Sequence, residues 1–447
     1  MRTAAVWWCG SVTVVLVVAG CSADGGGSGG SDNATPLPQP VVSDLDVAPE
    51  EDRVDLERPS FSDPTQVTNP LFPVAVGDSN LLLGTVDDLP FRAEVTVLPG
   101  TRVIEWDGRR IETAVSQYAA FLDGRIHEVA LDLYAQDDSG AVWYFGEDVF
   151  NYEDGVIADT EGTWFAGTDG PAAMIMPAEP QVGDVYRPEN IPEVVFEEVT
   201  VTSTGERADG PQGPITDAVI VDELHQDGAH ETKTFAPGYG EFYTDADGEV
   251  EALAVAVPTD AVADDAPAEL DTMTSAPVTI FDAVRAGDPA AASAALGELT
   301  DAWTALSAGE VPPLVAEQAA AALDELSTAL SSAADPETAQ AAIAMERAAL
   351  DLALPYREVV ATDLARLELL VRQLVLDVSA DDVAATAGDL TAIDWTRARF
   401  AHSLPSPDVS EIDEALGVIR SAAVAGDPAA IAAATPALHD LLAAASE

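Results

Sequence analysis

The sequence predicts an α+β multidomain chain, with an antiparallel β-rich domain followed by an all-α bundle of helical-hairpin repeats. Two changes of period carry this expectation. Over residues 61–258, aromatic and β-branched runs alternate with polar residues and are broken by turn residues, which is the pattern of half-buried strands. From residue 276 onward the period lengthens to that of a helix and alanine dominates.

In the first region, RAEVTVL places Ala93, Val95 and Val97 on one face and Arg92, Glu94 and Thr96 on the other. Further strands are expected at 101–106, 109–116, 126–135, 142–145, 194–202, 218–224, 232–235 and 249–257. Asp137-Asp138-Ser139-Gly140 and Asp245-Ala246-Asp247-Gly248 read as hairpin loops between strand pairs. A meander, sandwich or half-barrel follows, and residues 259–275 read as an acidic Ala/Pro linker. Over residues 276–447, helices are expected to start at Asp288, Asp335, Asp382 and Asp427, usually with proline next in line. The spacing of about 46 residues fits one helical hairpin per unit. Trp303, Leu350 and Leu442 fall at equivalent places after their Asp, with Trp395 two positions early, and all four are expected to be core anchors.

Hydrophobic residues make up 47% of the 447-residue chain, so most of it should fold. The formal net charge of −60 arises from 79 acidic and 19 basic residues. Nucleic acid is therefore excluded as an expected partner, whereas cations and basic partners are favoured. Adaptation to salt would account for the same acidity. Cys9 and Cys21 are the two cysteines, which leaves disulfides and cysteine-ligated zinc out of the body of the chain.

Arg2, the apolar run at 12–18 and the small residues of Val18-Ala19-Gly20-Cys21 have the layout of an export signal. The last four residues resemble a bacterial lipobox. That resemblance implies a signal peptide over residues 1–20, lipidation of Cys21, and an extracytoplasmic chain held to the cell membrane by its lipid anchor. Residues 21–60, first Gly/Ser-rich and then Pro-rich, read as a disordered tether.

The segments YAQDDSGAVWYFGED (134–148), TWFAGTDG (163–170), MPAEPQVGDVY (176–186) and TFAPGYGEFY (234–243) resemble a family of secreted bacterial proteins with no assigned activity. The resemblance implies a shared fold and no mechanism. Glu147 and Asp148, with Asp137 and Asp138, offer carboxylates of the kind used in glycoside hydrolysis. However, adjacent strand positions point to opposite faces, and Asp137 and Asp138 are ordinary turn residues.

Among the histidines, His127 alternates with apolar residues and reads as a core side chain. His402 and His439 lie near helix ends. His225 and His230 flank Gln226-Asp227-Gly228-Ala229, so a four-residue hairpin would bring them together with Glu223 as ligands for a divalent metal. Asp245, Asp247, Glu249 and Glu251 resemble a fragment of a calcium loop without its full spacing, with Asp245 and Asp247 as a candidate surface cation site. Arg366, Glu368, Arg372 and Asp377 read as a solvated face on which Glu368 and Arg372 pair. The expected function is non-catalytic binding of a ligand or another envelope protein. A secreted hydrolase using carboxylates of the β-domain and a structural envelope spacer are the alternatives.

Overall fold

The computed structural model describes residues 45–446 except 192–193, 247–248 and 333–334. Its strands are β1 (Ser79–Val86), β2 (Leu89–Trp106), β3 (Arg109–Leu122), β4 (Arg125–Gln136), β5 (Val142–Glu153), β6 (Val156–Asp159), β7 (Trp164–Phe165), β8 (Ala173–Met176), β9 (Val185–Ile191), β10 (Val195–Gly210), β11 (Gly213–His225), β12 (His230–Ala236), β13 (Gly240–Ala246) and β14 (Glu249–Val257). They form one antiparallel sheet in the order β6-β5-β4-β3-β2-β1-β14-β13-β12-β11-β10-β9, with β7 and β8 paired to β5. Neighbours in sequence are neighbours in space, as the hairpin signals require. Because β8 packs beside β9 while hydrogen-bonded to β5, the two halves of the path meet and the sheet curls into a barrel.

Residues 67–74 cap one end of this barrel. Asn69 Nδ2 donates to Gly140 O and Pro177 O at 3.0 Å each, and Gly238 N donates to Pro70 O at 2.7 Å. The β4–β5 turn and the β12–β13 turn therefore lie at the capped end. The β11–β12 turn, at the other end of β12, lies opposite.

The helices are α1 (Ala268–Ala286), α2 (Pro289–Leu306), α3 (Pro313–Ser332), α4 (Asp335–Ala353), α5 (Val359–Ser379), α6 (Val383–Phe400), α7 (Ser406–Val424) and α8 (Pro428–Ala445). Asp288, Asp382 and Asp427 cap α2, α6 and α8 by accepting from Ala291 N, Ala385 N and Ala430 N at 2.9–3.0 Å. Asp335 instead lies inside the first turn of α4. Helices α1–α4 share one core and α5–α8 share another, so the repeats make two antiparallel bundles.

Three expectations about boundaries and packing change. Residues 45–60, expected within the tether, lie against the barrel: Val54 N donates to Val185 O at 2.8 Å and Ala48 N to Glu198 Oε1 at 2.6 Å. Helix α1 begins at Ala268, inside the stretch read as linker, because Leu270 and Met273 find an apolar core to enter. The charges of α5 do not form a solvated face. Arg366 is buried against Asp351 and Glu94, and Asp377 pairs with Arg125 of β4, although Glu368 and Arg372 do pair at 3.2 Å.

The bundles lie on the outer wall of the barrel. Leu81, Ala254 and Val255 join the α1–α4 core, and Ala119, Val129 and Tyr152 pack with Ala392 of α6. Trp395 is turned out of its own bundle by its two-residue offset. Its ring lies tilted against Phe150 at 5.3 Å, and its indole N–H donates to the Tyr152 hydroxyl at 2.8 Å. Leu350 and Leu442 are buried core anchors, as expected, and Trp303 is partly buried in the same way.

Candidate functional site

The barrel encloses a cavity of about 180 Å³. Alternation fixes what enters it. Outward positions of β2 and β3 carry Arg92, Glu94 and Gln117 toward the helices, so the inward positions, Val95, Val97, Ser116 and Tyr118, face the interior. The unusual property of this interior is its charge. Glu128, Asp132, Glu147, Glu189, Glu197, Glu223, Glu241 and Glu251 all line it, with Lys233 as the one basic side chain in the wall.

A bulge places Glu147. Asp132 pairs with Glu147 but Tyr134 pairs with Tyr144, so Phe145 and Gly146 together stand against Leu133, and this one extra residue lets Tyr144 and Glu147 both point inward. Gly146 has φ +116°, and a Cβ there would meet Trp164 O at 2.1 Å, so the bulge needs glycine. Asp148 faces outward and pairs with Arg102 at 2.8 Å. Asp137 takes the Trp143 indole N–H at 2.9 Å, and Asp138 takes the Ser60 hydroxyl at 2.6 Å. Both are turn residues, and neither enters the cavity.

The carboxylates form a continuous belt across the wall. Asp132 stands opposite Glu147, Glu147 lies beside Glu189, Glu189 stands opposite Glu197, and Glu197 lies beside Glu223, which stands opposite Glu231. Burial, then the charges of Glu189 and Asp132, pushes Glu147 well above the usual carboxylate range. Burial takes Asp132 to about 7 despite the Tyr144 hydroxyl donating to it at 2.9 Å. Glu189 is likewise pushed to about 7 by burial, against the Trp164 indole N–H at 2.8 Å. Burial, then Glu241, raises Glu251 to about 8, and its Oε1 finds no hydrogen-bond partner among the described residues. The belt therefore holds protons where it lacks cations.

Aromatic rings complete the lining. Tyr134 stacks on Tyr144 at 5.0 Å, Tyr144 meets Trp164 edge-on at 5.4 Å, and Phe72 meets Tyr134 edge-on at 5.0 Å.

At the uncapped end, the expected trio of Glu223, His225 and His230 is only partly assembled. Glu223 and His225 do point to the same side, and Glu197 of β10 joins them, so that one ligand atom from each lies within 4.8 Å of the others. His230 does not belong. His225 N donates to Ala229 O, so Leu224 rather than His225 stands opposite His230. That shift of one residue turns the His230 ring to the outer face, where Nδ1 lies 2.9 Å from Asp222. Glu231 and Lys233 take its place on the inner side. His225 Nε2 lies 3.3 Å from Glu231 Oε1, and Lys233 Nζ lies 2.9 Å from Glu231 and 3.1 Å from Glu223. Burial raises Glu231, but Lys233 and His225 outweigh it and hold the carboxylate down at about 2.

Sequence reasoning missed Glu189 and Glu197, and it read Glu251 as part of a surface calcium-loop fragment, whereas Glu251 is buried in the cavity wall. The available signal was a carboxylate at alternate positions of strands whose other face is already committed to packing. Asp245 accepts the Tyr243 hydroxyl at 3.3 Å, and Asp247 lies outside the described residues, as does Cys21. His127 is half-buried, and burial lowers its pKa. No helix among the described residues is long and apolar enough to cross a membrane. The chain matches no family model and no curated protein.

Proposed function

We propose that the chain is a lipid-anchored extracytoplasmic binding protein whose barrel interior captures a small organic cation. The observation that carries this reading is the belt of buried carboxylates around an aromatic-lined cavity of about 180 Å³. Buried anions are costly unless paired. Lys233 and His225 partner the Glu223–Glu231 end, while Asp132, Glu147, Glu189 and Glu251 meet their burial by keeping protons. A protonated amine would replace those protons and gain the faces of Tyr134 and Tyr144 as well. The cavity of about 180 Å³ is similar in size to the roughly 150 Å³ cavity that takes benzene, which suits a ligand of about six to ten heavy atoms. The signal-like N-terminus and Cys21 support the anchored location.

Titration calorimetry with putrescine and with choline, in buffers of different ionisation enthalpy, tests this reading. Saturable binding accompanied by proton release, weakened by Glu147→Gln and Glu189→Gln, is expected. Absence of binding by both probes would overturn it. The hydrolase reading is favoured by one observation, the adjacency of the buried Glu147 and Glu189 carboxyls, both raised by burial, which puts an acid and a base side by side. Turnover of a neutral glycoside that is lost in Glu147→Gln would establish that reading instead.

A further inference from the structure

We propose that Glu197, Glu223 and His225 form a divalent metal site at the uncapped end of the barrel. Glu197 and Glu223 belong to the same belt as the organic-cation site, but the proposal does not rest on that reading. Two carboxylate oxygens and an imidazole nitrogen are a donor set suited to zinc or manganese. These atoms already lie within 4.8 Å of one another, and donors around an ion at about 2.0–2.2 Å are separated by roughly 3–4 Å, so small rotamer changes complete the set.

The surroundings of His225 point the same way. Its Nδ1 faces Glu197 Oε1 at 3.6 Å while Nε2 faces Glu231 Oε1 at 3.3 Å. A carboxylate on the far nitrogen is the arrangement that orients a metal-binding imidazole and raises its basicity. Glu231 thus acts as a positioning residue. The ring keeps 12% of its side-chain surface in solvent, which gives an ion a way in past the turn at 226–229. Lys233, 3.1 Å from Glu223 Oε2, competes with the ion for that carboxylate. Its ammonium already demonstrates that Glu223 and Glu231 accept a cation from inside the barrel.

The experiment is calorimetric titration of the full chain with ZnCl2 and, separately, MnCl2. Binding at one site per chain is expected. Glu197→Gln and His225→Gln should each weaken it by at least the 10–100-fold that loss of an outer partner of a metal ligand costs. Lys233→Met should tighten it, and His230→Ala, on the outer face, should leave it unchanged. Zinc-edge X-ray absorption on the wild type, which needs no variant to fold, should show a first shell of light N/O atoms with the outer-shell scattering of one imidazole. No saturable binding, binding indifferent to both ligand substitutions, or a zinc spectrum without imidazole scattering would overturn the proposal. Binding by Lys233→Met alone would overturn it for the native chain. The metal titrations are run without putrescine and read the His225 variants, which lie outside the cavity lining, so failure of metal binding and failure of organic-cation binding are separate results.

Discussion

Arg92 of β2 grips both oxygens of Asp351 of α4 across 259 residues of sequence, Nη1 to Oδ2 at 2.6 Å and Nη2 to Oδ1 at 2.8 Å. The pair is buried and belongs to a network. Glu94 receives Arg92 at 2.7 Å, Arg399 at 2.5 Å and Arg366 at 3.4 Å, and Arg399 also donates to Gln117 at 2.6 Å. Burial pushes Glu94 up, but the three guanidinium groups hold it well below the usual range. The helical bundles are therefore fixed to the barrel by charges that must be satisfied together. Removing one partner of such a pair strands the other, at a cost of about 3–5 kcal/mol. Asp351→Ala should lower unfolding stability in urea by that order. A loss below about 1 kcal/mol would show that the network does not hold the interface.

Gly155 supplies a second contact between the two parts. It turns β5 into β6 with φ +74°, and a Cβ would meet Gly388 N of α6 at 2.2 Å and Ala384 O at 2.4 Å. Gly155→Ala combines left-handed strain with a backbone clash, so a loss of at least about 1–3 kcal/mol is expected. Differential scanning calorimetry checks it. Gly388→Ala is the control, because its Cβ would make only ordinary contacts, with Gly155 Cα at 3.5 Å and Ile126 Cγ2 at 3.7 Å.

The pair Asp377–Asp389 sets a pH dependence. Asp377 faces Arg125 and carries the charge, its pKa lowered, while burial and the neighbouring Asp377 push Asp389 up to about 9. The folded chain holds a proton on Asp389 that the unfolded chain has released above roughly pH 4. Its contribution is thus complete below that value and is lost as pH rises through about 9. Glu251, at about 8, acts in the same direction. Melting temperature should be higher near pH 5 than near pH 8.5, and Asp389→Asn should flatten part of the fall. A rise in stability over this window would contradict the assignment.

The anchor is tested at Cys21. Intact-mass spectrometry of membrane-extracted protein should find a chain that begins at an acylated Cys21, and Cys21→Ser should move the protein to the soluble fraction. An unmodified chain beginning at Met1 would rule this out.

Strands and helices were legible because their periods are local properties: RAEVTVL alternates whatever lies beside it, and Asp288-Pro289 starts a helix without help. The site was less legible because it depends on register. One residue in the His225–Ala229 turn decides whether His230 faces in or out, and the Phe145-Gly146 bulge decides the same for Glu147. Arg366 illustrates the other limit. On α5 alone its charge suggests water, and only the outer wall of β2, with Glu94, makes burial tolerable.

Lys233 has a practical consequence. It is the sole lysine of the chain, and only 6% of its side chain reaches solvent. Amine-directed crosslinkers and surface-coupling reagents should therefore leave the folded side chains untouched. The rate at which this one side-chain amine is acetylated becomes a clock for how often the barrel wall opens.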